Sequence, residues 1–169
     1  MAFEFAQLVG CNQSMVFSLA LRFLRNREAA EELAQDVFLQ LYQNIDRIQN
    51  ESHATWWLRR AICHRSIDEI RKRKLRPQIG LDAIADPAAP RNEPDWLENE
   101  RLGRMVDILP ERARMVVVLR YQEDMDPSDI AALLEIPVST VKSHLHRSLA
   151  LLRGRLVRQS SPQPEGVCL

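Results

Sequence analysis

No apolar run in this chain comes near the roughly 20 residues that a membrane-spanning helix needs, and the longest, such as Met115 to Leu119, stop far short. The opening MAFEFAQL lacks the basic leader of a secretory signal, so the cytoplasm is the expected compartment. Cysteine is scarce: Cys11, Cys63 and Cys168 are odd in number and too scattered for a C-x-x-C pair. That points to free thiols rather than a zinc ribbon or a disulfide framework. A glycine-rich phosphate loop, a nucleophile elbow and a paired-acid motif are all missing, so neither an enzyme nor a bound cofactor is expected. His144 and His146 lie two apart on an expected helix and diverge, which makes them a poor chelate, and no metal site is expected. Net charge is absent as well. The 23 basic and 23 acidic residues cancel, which argues against a chain that grips nucleic acid unaided through bulk attraction.

What is present suits a soluble globular chain of 169 residues, with 46% apolar and 27% charged side chains. Charge is clustered rather than spread. Residues 1–76 carry 12 basic and 9 acidic side chains, residues 77–95 carry 1 and 4, and residues 96–158 carry 10 and 9. The acidic strip coincides with Pro77, Gly80, Pro87, Pro90 and Pro94, a linker composition. The expected architecture is therefore all-α, two small helical domains (1–76 and 95–158) joined by a flexible linker over 77–94. A tail over 159–169 is expected to fray.

In the first domain Ala30, Leu33, Ala34, Val37, Phe38, Leu41, Tyr42 and Ile45 recur at helical spacing and predict one buried stripe. Leu39 falls on the opposite face, with Glu32, Gln35, Asp36, Gln40 and Gln43, and has no core to enter. A preceding helix over roughly Ser14 to Arg25 should complete an antiparallel hairpin, with Asn26 capping the second helix. A third helix, about Thr55 to Arg73, has an apolar face that drifts: Trp57, Leu58, Ala61 and Ile62 point one way, Cys63, Ile67 and Ile70 another. Such drift suits a helix with different neighbours along its length. Asp95 to Ile108 reads as helix, and another runs from Pro110, at its first position, to about Tyr121. The triplet Val116 to Val118 would favour a strand if taken alone.

Asp126, Pro127 and Asp129 form a strong helix start, with the first carboxylate expected to cap free amides. Ile130, Ala131 and Leu134 give the short helix an inner face, and Ala131 permits a close crossing. A turn over Glu135 to Pro137 follows. Val138, Val141, Leu145, Leu149 and Leu152 then form a second stripe, leaving Ser139, Thr140, Lys142, Ser143, His144, His146 and Arg147 on the remaining surface. Those residue types hydrogen-bond base edges and phosphates, and they occupy the first turns of a second helix, where a recognition helix meets the major groove. A solvated helix face would be the plainer reading of a lone basic helix. The capped short helix, turn and second amphipathic helix together favour DNA contact.

With LALRFLRNREAAEELAQDVFLQLY ending at Tyr42, TWWLRRAICHRSIDEIRKRK from Thr55, LPERARMVVVLRY and DIAALLEIPVSTVKSHLHRS, the chain resembles bacterial sigma factors of the extracytoplasmic-function group. These contain the two parts called region 2 and region 4. The resemblance implies that Glu32, Gln35, Asp36 and Leu39 dock on the clamp of the RNA polymerase core. It implies that the loop Gln49 to Thr55, with Asn50 and His53, and the helix carrying His64, Arg65, Asp68, Arg71 and Lys72 recognise and open the minus-10 element. Polar loop residues beside a cationic helix suit a flipped base and a displaced strand; a basic helix end that complements the helix dipole is the plainer reading of Arg71 to Arg76. Region 4 would read the minus-35 element through the Ser139 to Arg147 face and touch the polymerase flap. An anti-sigma factor is an implied partner. The chain departs from the family pattern at Glu135 and Ser139, where glycine is frequent, at His144, where arginine is frequent, and at His64, which replaces a common asparagine. A stand-alone helix-turn-helix regulator, with the first domain serving dimerisation or sensing, is the alternative.

Overall fold

The computed structural model describes residues 5–75 and 103–160, with side chains to 158. The expected linker and most of the expected tail therefore lie outside the described residues, as does the 95–102 part of the helix expected over Asp95 to Ile108. The described residues are helical, without strands: α1 (Phe5–Leu24), α2 (Arg27–Gln43), a 3-10 turn (Ile45–Arg47), α3 (Glu51–Leu75), a short helical stretch over 103–107, α4 (Glu111–Tyr121), α5 (Pro127–Leu134) and α6 (Val138–Ser160).

The first hairpin forms as its spacing dictates. Arg25 takes a left-handed φ of 54° and closes α1, its amide donating to the Leu21 carbonyl at 2.9 Å. Asn26 then caps α2, its Oδ1 accepting from the Ala29 amide at 2.8 Å. The stripe Ala30, Leu33, Ala34, Val37 and Leu41 is buried against α1 and α3. Tyr42, placed on that stripe by period alone, is instead 58% exposed, because its ring stands edge-on to Phe5 at the rim, with centroids 5.2 Å apart. Helix α1 starts at Phe5, nine residues before the expected start, since Leu8 and Val16 continue the buried face backwards.

Helix α3 also starts early. Asn50 caps it by accepting from the His53 amide at 2.8 Å, so the expected loop from Gln49 to Thr55 is helical from Glu51 onward. Leu58 and Ile62 are fully buried, and the drifting apolar face has its reason: α3 packs on α1, α2 and α5. Pro110 sits one position outside α4, as its N-cap. Val116 to Val118 are buried within α4, where tertiary packing outweighs their strand preference. Helix α6 runs through Ser160, two residues into the stretch expected to fray, with no proline before Pro162 to stop it.

One apolar cluster continues across both halves, joining Leu19, Phe23, Leu58 and Ile62 to Met115, Leu119, Ile130 and Leu133. A smaller one, Leu109, Ala113 and Val117 with Leu145 and Leu152, seats α6 on α4. Each fully buried leucine or isoleucine contributes about 1.5–3 kcal/mol.

Candidate nucleic-acid interface

The second half builds its outward face on two crossing helices. Pro127 occupies the first turn of α5, but Asp126 makes no side-chain cap bond, contrary to expectation; its carboxylate lies 3.7 Å from the Arg120 guanidinium, which holds it away from the helix amides. Ile130, Ala131, Leu133 and Leu134 are buried. Glu135 then turns the chain in the left-handed region at φ 56°, a conformation that favours glycine, and the Ile136 amide donates back to the Ala131 carbonyl at 3.1 Å. Helix α6 follows at once.

Along α6, Val141 is fully buried and Leu145, Leu149 and Leu152 are half-buried. Val138, expected on that stripe, is 39% exposed, as it opens the helix before the crossing begins. Ser139, Lys142, Ser143, His146 and Arg147 are exposed, whereas Thr140 and His144 are half-buried at the edge. Burial lowers the His144 pKa below its ordinary 6.5, and the nearby positive charges of Arg147 and Arg112 lower it further, so the ring is neutral at pH 7. Arg112, exposed on α4, was not identified from the sequence; it joins this cationic edge only through the packing of α4 on α6.

The residues expected to serve the minus-10 element do not form one cluster. Asn50 and His53 sit at the start of α3, while Arg71 and Lys72 lie about 30 Å further along it at 1.5 Å per residue. Asn50 and His53 are tied up locally, His53 Nδ1 accepting from the Gln49 amide at 3.2 Å. Arg65, Asp68, Arg71 and Lys72 share a groove of about 730 Å³ with Glu32 and Asp36 of α2. Arg65 donates to Asp36 at 2.6 Å, so a residue expected to touch DNA pairs with one expected to dock polymerase. Asp68 and Arg71 are exposed and 3.8 Å apart. His64 is half-buried and its Nε2–H donates to the Leu133 carbonyl of α5 at 2.9 Å. On the outer face of α2, Glu32 and Gln35 are exposed, and Leu39 is 56% exposed, as its position on the helix predicts.

Cys11 is exposed and Cys63 buried, both as free thiols; Cys168 lies outside the described residues. Among the described residues no three His, Cys, Asp or Glu side chains are grouped to hold a metal, and no helix is long and apolar enough to cross a membrane.

Residues 8–76 match Sigma-70 region 2, and residues 99–152 match Sigma-70, region 4. The ECF RNA polymerase sigma factor SigW of Bacillus subtilis is 32% identical over 167 residues, spanning 90% of this chain and 88% of that protein. The chain belongs to the sigma-70 family, in its extracytoplasmic-function group. An RNA polymerase sigma-E factor of Streptomyces avermitilis is 30% identical over 90% of this sigma factor and 85% of its own length. Among solved structures, the sigma factor RpoE of Bartonella quintana, crystallised with the anti-sigma factor NepR, has the same fold, with a TM-score of 0.76 at 18% identity over 90% of this sigma factor and 96% of that chain. Sigma factors are transcription initiation factors.

Proposed function

We propose that this sigma factor recruits core RNA polymerase to promoters and reads the minus-35 element with the α6 face of Ser139, Thr140, Lys142, Ser143, His144, His146 and Arg147. The observation that carries the reading is the exposure of Ser139, Lys142, Ser143, His146 and Arg147 in the first turns of the second helix of a helix-turn-helix. Hydroxyls and cations at that place can meet base edges and phosphates together. Arg112 adds a phosphate contact at the edge. The minus-10 element would lie along α3, meeting Asn50 and His53 at one end and Arg65, Asp68, Arg71 and Lys72 at the other, with His64 between. Glu32, Gln35, Asp36 and Leu39 would dock the polymerase clamp, an exposed leucine among acids suiting a protein surface. The domain around α4 to α6 would touch the flap. Bond making belongs to the polymerase, the working compartment is the cytoplasm, and the partners are core polymerase, promoter DNA and an anti-sigma factor, the last supported by the RpoE–NepR pair.

Run-off transcription tests this reading. Purified core enzyme with the protein should give promoter-specific transcripts from a promoter library that core alone does not give. Identical transcripts in the two reactions would sink it.

A further inference from the structure

Where α4 packs on α6, three nitrogen-bearing side chains come together without an acid among them. His144 is half-buried there, Arg147 lies one turn further along the same side of α6, and Arg112, in the first turn of α4, stands close enough for its charge to act on the ring. Helix α6 holds no Asp or Glu in its 23 residues. The acids of the elements around it are engaged elsewhere: Glu111 pairs with Lys74 at 2.8 Å, Asp107 with Arg25 at 3.8 Å, Asp126 with Arg120 at 3.7 Å and Glu135 with Arg60, while Asp129 is exposed on α5. Arg114, the other cation in the middle of α4, turns away to the Phe23 carbonyl. The charges that reach His144 are therefore both positive, and among the described residues neither Arg112 nor Arg147 has an acidic partner.

We infer that Arg112, His144 and Arg147 form one site for a DNA phosphate, and that His144 takes up a proton from water as the phosphate arrives, which makes promoter affinity depend on pH. This deepens the reading of the α6 face proposed above and rests on it. In the free chain, partial burial and the two guanidinium charges hold the ring neutral at pH 7. A phosphate oxygen seated among the three groups reverses the local sign: it offsets the repulsion and accepts a charge-assisted hydrogen bond, which the imidazolium donates more strongly than the neutral ring. Proton uptake and phosphate binding then favour each other equally. The phosphate raises the His144 pKa above its value in the free chain, so affinity climbs as the pH falls through the raised value. It levels off below the free value, where the ring is charged with or without DNA. The charged ring also neutralises one more phosphate, which steepens the slope of log K against log salt by about 0.9. His146 lies two positions on, so it projects from another side of α6 and does not share the site.

Filter binding of the holoenzyme, formed from core polymerase and the full chain, to a promoter chosen by run-off transcription tests the coupling. The parent should bind about tenfold more tightly at pH 6.0 than at pH 8.0, within the limit of tenfold per pH unit for one proton. His144→Gln keeps a neutral donor and should lose that gain; its difference from the parent cancels protons taken up by the polymerase and by other histidines. His144→Arg carries a fixed charge and should bind at pH 8.0 about as tightly as the parent at pH 6.0, with the steeper salt slope at both pH values, a gain that misfolding does not produce. His146→Gln should bind more weakly yet keep the parental change with pH. Equal pH profiles in the parent and His144→Gln overturn the proton coupling, as does a profile lost in His146→Gln instead. His144→Arg binding no tighter than the parent at pH 8.0, with the parental salt slope, overturns the phosphate site. Absence of promoter-specific transcripts with the unchanged chain at every pH overturns the sigma reading itself, and the site with it.

Discussion

Lys142 and Arg147 are exposed cations on the outward side of α6, and their proposed work is to displace counterions from phosphates. Replacing either with alanine should weaken promoter binding by the holoenzyme and reduce the slope of log K against log salt by about 0.9 for each phosphate no longer neutralised; filter binding across a salt series reads this, and unchanged binding at every salt concentration refutes the assignment. His144 has a different signature. Its folded pKa lies below 6.5, so the unfolded chain takes up the proton first as the pH falls. Its contribution to stability is therefore complete above about pH 6.5 and is lost as the pH drops through the lowered folded value. Between pH 7.5 and pH 5.5 the urea midpoint should fall further in the parent than in His144→Gln, and equal falls would dismiss the effect. The α6 face was legible in the sequence because helical period alone sorts it outward. Arg112 was not, because only the crossing of α4 and α6 brings it beside His144.

Helix starts show what local chemistry settles and where a neighbour overrides it. Asn26 and Asp126 are both good capping types, yet only Asn26 makes the bond, while Asp126 faces Arg120. Asn26→Ala should cost about 1 kcal/mol of unfolding free energy, and Asp126→Ala clearly less; chemical denaturation of the two variants compares them, and equal losses would contradict the geometry. Helix α3 begins at Glu51 because Asn50 caps it, which converts an expected loop into the first turn of the helix. The departure from glycine at Glu135 has a structural setting too: the residue stays in the left-handed region and its carboxylate pairs with Arg60 of α3.

Across the whole molecule, one apolar cluster and the buried Arg114 tie the halves together. The described parts should therefore unfold in a single cooperative transition. Arg114→Ala removes a charged hydrogen bond to the last turn of α1 and should lower stability by about 1.5–3 kcal/mol. Calorimetry checks both statements: two separate transitions in the parent protein would show the halves to be thermally independent. The helices, the helix-turn-helix and its cationic side were determined by the sequence, since a 3.6-residue period assigns side chains to faces before any distant contact forms. Only the tertiary structure decided that Arg59, Arg60 and His64 face the second half and that Arg114 is buried against α1. Those partners stand 64 to 91 positions apart along the chain, and contacts at that separation leave no periodic imprint; they exist because two apolar faces, each incomplete alone, close over one another.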